Sequence, residues 1–179
     1  MTRRALAAAW LFSFLLASAA CHAEEPDGYR TSDYRSPVPT TLHGAKVIDT
    51  EEAARTWREH SAVLIDVLPR PVKPEKLPAG TIWRDLVRKS VPGSAWLPNV
   101  GYGVLPVAVE QYFASRLQSL TGGDKAHALV FFCERDCWMS WNAAKRAVAM
   151  GYRNVSWFPD GTDGWQEAGL PLAESQPVP

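Results

Sequence analysis

Cysteine is scarce in this sequence: three among 179 residues, at positions 21, 133 and 137. So few cannot staple a disulfide-dense scaffold, and the fold must rest on its own hydrophobic core. Histidine is nearly as rare. His43, His60 and His127 each stand alone, with no second ligand at metal-binding spacing, and read as surface or loop residues. Neither sign of charge is in excess, with 19 basic and 19 acidic residues, so the basic surface that nucleic acid requires is absent. No internal repeat is evident. What is there, 46% hydrophobic and 21% charged residues, suits one soluble domain of ordinary size.

The longest apolar run is at the start. Arg3 and Arg4 lead a run from Ala5 to about Ala20, and small residues continue to Ala23. That is the pattern of a signal peptide, with the cut placed after Ala23 and export to the periplasm as the consequence. The run falls short of the ~20 apolar residues a membrane span needs. A lipoprotein would use Cys21 instead, but Ser18 stands where such signals carry leucine. Cleavage removes two basic residues and no acids, leaving 17 against 19. It also leaves Cys133 and Cys137 as a pair in an oxidising compartment, where neighbouring cysteines tend to join.

The chain is organised around those two residues. Leu129-Val130-Phe131-Phe132 reads as a buried strand that ends at Cys133. A polar turn holding Cys137 follows, and a helix then runs from 140–141 to about Met150, closed by Gly151. A strand that delivers a thiol to a helix start sets the sulfur beside unpaired N–H groups and the positive end of the dipole, which favour thiolate.

The rest reads as scaffold. Residues 24–44, rich in Pro, Ser, Thr and Tyr, are expected as an extended arm laid over the domain. Residues 45–48 give a short strand, and Asp49 with Glu52 starts a helix over 50–59. Residues 62–67 read as a buried parallel strand ending in Asp66. The proline-rich stretch 69–80 and the segment 82–86 form an excursion, and 91–98 return through a turn and a short strand. Val109, Phe113 and Leu117 mark a helix over about 106–120. Residues 154–158 give a last strand, and 159–165 read as turn chemistry, with Gly161 and Gly164 needing positive φ. Strands alternating with helices at this spacing argue for an α/β fold, a mostly parallel central sheet with helices on both faces.

Four pieces together resemble a rhodanese-like domain over residues 45–172, with 173–179 as a tail: Leu64-Ile65-Asp66-Val67, then Val91 to Pro98, then Val130-Phe131-Phe132-Cys133, and finally Gly161-(x)3-Trp165-(x)3-Gly169-Leu170-Pro171. The Tyr-Arg-rich arm and the Cys137-Trp138 pair further resemble exported CXXCW-motif proteins associated with catabolism that depends on pyrroloquinoline quinone. Here three residues separate the cysteines. The resemblance implies that Cys133 occupies the position of the rhodanese sulfur carrier, cradled by the backbone of Glu134, Arg135, Asp136, Cys137, Trp138 and Met139, with Ser140 at the helix start. Rhodanese loops offer glycine and a terminal arginine, whereas Glu134 and Asp136 oppose a thiolate and repel anionic sulfur donors, which Arg135 offsets in part.

Three readings of the cysteines stay open. A structural disulfide closing so short a loop stabilises by ~2 kcal/mol or less in the chain-entropy model. Thiol or persulfide chemistry would use Cys133 as nucleophile and Cys137 as resolving thiol. A copper(I) site would draw on both with Met139, no other cofactor being expected. Trp138 and Trp141 read as packing, or as a flat face for a partner. Asp66 reads as a strand-end cap or the partner of a base. The function expected is a periplasmic thiol-redox or sulfur-carrier protein, accessory to a quinoprotein alcohol oxidation system. The alternative is a binding module docking on a quinoprotein dehydrogenase or a cytochrome c.

Overall fold

A computed structural model describes residues 23–85 and 87–179. The expected signal segment, with Cys21, lies outside them except for Ala23. The elements in order are β1 (Lys46–Val47), α1 (Thr50–Glu59), β2 (Val63–Asp66), β3 (Arg88–Ser90), β4 (Ala95–Trp96), α2 (Val107–Thr121), β5 (Leu129–Phe132), α3 (Trp138–Ala149), β6 (Val155–Phe158), α4 (Gly161–Glu167) and β7 (Ala173–Ser175).

Alternation along the strands separates two apolar layers. In β5, Leu129 and Phe131 face a core shared with Phe113 and Leu117 of α2 and with Ala143, Ala144 and Ala147 of α3. Val130 and Phe132 face the other way, onto Ala53 and Ala54 of α1 and Trp165 of α4. A strand buried on both faces has to be apolar throughout, which is why β5 reads as an unbroken run. The five strands β1-β6-β5-β2-β4 pair in parallel, with Asp66 opposite Phe132 and Phe132 opposite Phe158. The expected α/β architecture, a parallel sheet with helices on both faces, is what the molecule has.

Helix α1 begins as the sequence implied: the Asp49 side chain accepts from the Glu52 amide at 2.8 Å. It ends at His60 in the left-handed region. Three elements correct the sequence reading. Helix α3 starts at Trp138 rather than 140–141, because Cys137 caps it and the Tyr34 carbonyl takes up the free Trp138 amide at 2.9 Å. The loop after Cys133 is therefore four residues long. Residues 161–167, expected as turns, form α4; Gly161 takes φ +52°, whereas Gly164 is an ordinary helical residue pressed against Asp160 and Thr50. Residues 173–179, set apart as a tail, contribute β7, antiparallel to β3, and Val178, whose amide donates to the Trp96 carbonyl at 2.9 Å.

The arm is fixed against α3 and the loop that precedes α2. Asn142 of α3, with no exposed surface, accepts from the Arg30 amide at 2.9 Å and donates to the carbonyls of Arg30 and Gly101 at 2.8 Å each. Trp141 Nε1 donates to the Thr41 carbonyl at 3.0 Å. The Arg146 guanidinium covers the Tyr29 ring at 4.3 Å and donates to the carbonyls of Val100, Tyr102 and Gly103. No described helix is long and apolar enough to cross a membrane.

Candidate functional site: a dithiol at the strand-to-helix turn

Strand β5 ends by handing Cys133 to the turn, and Cys137 closes that turn as the N-cap of α3. Both are free thiols. Cys133 has no exposed surface and Cys137 has 2%. The two side chains act on each other's ionisation, the protonated Cys133 thiol favouring charge on Cys137.

The two sulfurs are poised oppositely. Burial pushes the Cys133 thiol well up, and its hydrogen bond to Cys137, the negative charge there and that of Asp66 push the same way. Cys137 is drawn down from 9.0 to about 7, first by the donated Cys133 hydrogen bond, then by the amides of Met139 and Glu134 and the charge of Arg35, all working against burial. Sulfur is too bulky to make the short cap bond of an oxygen, and no regular side-chain cap forms. Of the two, Cys137 is the sulfur drawn toward thiolate, whereas the strand-end position had pointed to Cys133 as nucleophile.

The loop residues divide between the sulfurs and the neighbouring helix. Glu134 joins Arg35 at 2.9 Å and Arg88 at 3.5 Å, so its charge is neutralised from two sides. Arg135 turns away from the sulfurs: its amide donates to Asp163 at 2.9 Å, its guanidinium clasps Glu167 at 2.6 and 2.7 Å, and its Nε lies 3.4 Å from Asp160. Asp136 holds a left-handed φ of +53°, and its carbonyl accepts from the Ser36 amide at 3.1 Å. Trp138 packs edge-on to Trp141 with centroids 5.4 Å apart, lies under Arg30, and donates to the Ser36 hydroxyl at 3.0 Å. Met139 is buried in the core. The Ser140 hydroxyl donates to the Cys137 carbonyl at 3.1 Å and accepts from Trp157 at 3.0 Å, so it ties the cap to the sheet.

Asp66 lies behind the turn, wholly buried. Burial pushes its carboxyl up, against the pull of Arg88, Ser90 and the Leu68 amide at 2.6, 2.5 and 2.9 Å. Arg88 also donates to the Cys133 carbonyl at 3.4 Å. Arg35 and Arg88 are residues of this turn's surroundings that the sequence reading did not single out. The repeated Tyr-Arg pairs of the arm were a faint signal for Arg35; nothing local marks Arg88. Among the described residues, no group of three or more His, Cys, Asp or Glu side chains is gathered closely enough to hold a metal ion.

No protein-family model and no curated protein matches the chain. Solved structures do. An Escherichia coli protein, described as a 3-mercaptopyruvate sulfotransferase with the rhodanese fold, superposes with a TM-score of 0.52 at 17% identity, over 75% of this chain and 53% of its own. The fold is that of the rhodaneses. A thiosulfate sulfurtransferase from Pseudomonas aeruginosa gives 0.50 at 18% identity, over 74% of this chain and 21% of its own. The polysulfide-sulfur transferase homodimer from Wolinella succinogenes gives 0.47 at 20% identity, over 73% and 79%. This chain thus spans about half and about a fifth of the first two. Within the rhodanese fold seen here, the turn after the central strand is short, carries a second cysteine, and is covered by the arm.

Proposed function

We propose that this chain is a thiol-redox protein of rhodanese fold that acts in the periplasm through Cys137 and Cys133, accessory to a quinoprotein alcohol oxidation system. The observation that carries the chemistry is the placing of two free thiols on one strand-to-helix turn, Cys133 at the end of β5 and Cys137 at the cap of α3. A sulfur partly ionised at neutral pH, with a protonated thiol in the same turn, is the arrangement a two-step exchange requires. The sulfurtransferases among the structural neighbours support sulfur chemistry in general. The place in alcohol oxidation rests on the likeness to the CXXCW-motif proteins, and that in the periplasm on the signal-like start.

The exchange balances as follows. The Cys137 thiolate attacks one sulfur of a partner's disulfide, and the partner's second sulfur leaves as thiolate. That thiolate takes up the proton given off by Cys133. The Cys133 thiolate then attacks Cys137, and the partner's first sulfur leaves. The Cys133–Cys137 pair ends oxidised by two electrons, and the partner ends with one thiol and one thiolate, which takes its proton from water. Met139 and Glu134 amides hold charge at Cys137 before the attack, so nothing need reorient there. Run backwards, the same steps oxidise a partner dithiol.

Incubating the reduced protein with a disulfide-bonded protein substrate tests this. Cys133→Ser is expected to trap a mixed disulfide, and Cys137→Ser to trap none. The wild type is expected to lose about 2 Da as its own bridge forms, since a disulfide forms with loss of two hydrogens. Equal trapping by both variants, or none by either, overturns the reading.

The near-complete burial of both sulfurs favours a second reading, a docking module for a dehydrogenase or cytochrome c. A double Cys→Ser variant separates the two: it abolishes exchange under the first reading and leaves partner capture intact under the second.

A further inference from the structure

The cation beside the sulfurs does not come from the loop that carries them. Arg135, the loop's own arginine, is spent on Glu167 and Asp160 of α4 and its approach. Arg35 approaches from the arm, about a hundred residues earlier in the chain. Its backbone forms a bridge with Cys137, flanked by the bonds from Ser36 N–H to Asp136 and from Trp138 N–H to Tyr34. That pairing fixes the Cα of Arg35 opposite the Cα of Cys137. Its guanidinium is held in turn by Glu134 of the sulfur turn at 2.9 Å, and its charge bears on Cys137.

Resting on the dithiol reading above, we propose that Arg35 is a positioning residue of this site, delivered by the N-terminal arm opposite Cys137 to favour it as the attacking sulfur. The charged and titratable groups facing Cys137 make this assignment specific. From the turn come Glu134 and Asp136, both negative; from the end of β5 comes Cys133, which stays protonated; from β2 and β3 come Asp66 and Arg88, paired with each other. Arg88 is tied to Asp66 and Glu134, which leaves Arg35 as the cation among these groups whose charge bears on Cys137. An opposite charge so placed moves a titrating group by about one pH unit or more. More than half of the Arg35 side chain is exposed, which places its effect toward the lower end.

The reduced full chain is titrated by thiolate ultraviolet absorbance, with Cys137→Ser subtracted as blank. Expected is a wild-type midpoint near 7, a rise of about one pH unit in Arg35→Gln, and recovery of most of it in Arg35→Lys. Ser36→Ala removes the arm's hydrogen bond from Trp138 but keeps the arginine, and is expected to leave the midpoint in place; it controls for simple loosening of the arm. An unmoved midpoint in Arg35→Gln, or an equal rise in Ser36→Ala, overturns the proposal. Disulfide exchange measured in parallel keeps the two ideas apart. Exchange without an Arg35 effect sinks this assignment alone, whereas an Arg35 effect without exchange sinks the redox reading.

Discussion

Arg88 places its Nε 2.6 Å from Oδ2 of Asp66, and neither side chain is more than 6% exposed. The pair joins β2 to β3 directly behind the sulfur turn, and Arg88 also bears on Glu134 and the Cys133 carbonyl. Removing one partner of a buried pair strands the other charge, so Arg88→Met is expected to cost about 3–5 kcal/mol. The double variant Asp66→Asn, Arg88→Met is expected to recover a large part of that. Urea denaturation of the wild type, the two single variants and the double variant checks both; a double variant as unstable as the sum of its parts would show the two residues to be independent.

The cysteines make stability depend on pH. Cys137 has a folded pKa of about 7 against 9.0 unfolded, so between those values the unfolded chain holds a proton that the folded one has released. Stability therefore rises with pH from about 7 to about 9, by roughly 2–3 kcal/mol, and that gain is lost as pH falls through 7. Above about 9 the slope reverses, because unfolding then frees a proton that the folded chain keeps on Cys133. Denaturation under reducing conditions across this range checks it, with Cys137→Ser expected to lack the rising limb.

The arm's attachment is concentrated at Asn142. Asn142→Ala removes one acceptor and two donor contacts and leaves their partners unsatisfied, at an expected cost of about 2 kcal/mol or more. Cleavage within residues 24–44 by a low dose of protease is expected to accelerate before the rest of the chain is attacked. Uniform acceleration along the chain would show that the arm and domain come apart together.

Gly161 is tested by one added methyl. At φ +52°, a β-carbon would stand 2.5 Å from the Cys133 carbonyl oxygen, which is backbone and cannot swing aside. Gly161→Ala is expected to lose at least ~2 kcal/mol from left-handed strain and overlap together. It is also expected to shift the Cys137 titration, since the displaced carbonyl begins the sulfur turn. A stable variant with an unchanged titration would separate α4 from the site.

What the sequence made legible was local. The run Leu129 to Phe132 could only be a doubly buried strand, and Asp49 with Glu52 announced α1 to the residue. Helix α4 was missed because its first turn carries Gly161 and Gly164, which read as turn punctuation, and only packing of Trp165 between the helices decides otherwise. The start of α3 was misplaced because the partner that satisfies Trp138 is a carbonyl on the arm. At the site, the two cysteines were visible and their division of labour was not. That division depends on Arg35, Glu134 and burial, contacts made by chain segments a hundred residues apart, for which spacing along a sequence carries no sign.

Arg30 and Asn142 bind each other across 112 residues of chain. Such a strap ties the arm to a helix a hundred residues further on, so the sulfur turn stays covered only while these two distant segments hold each other.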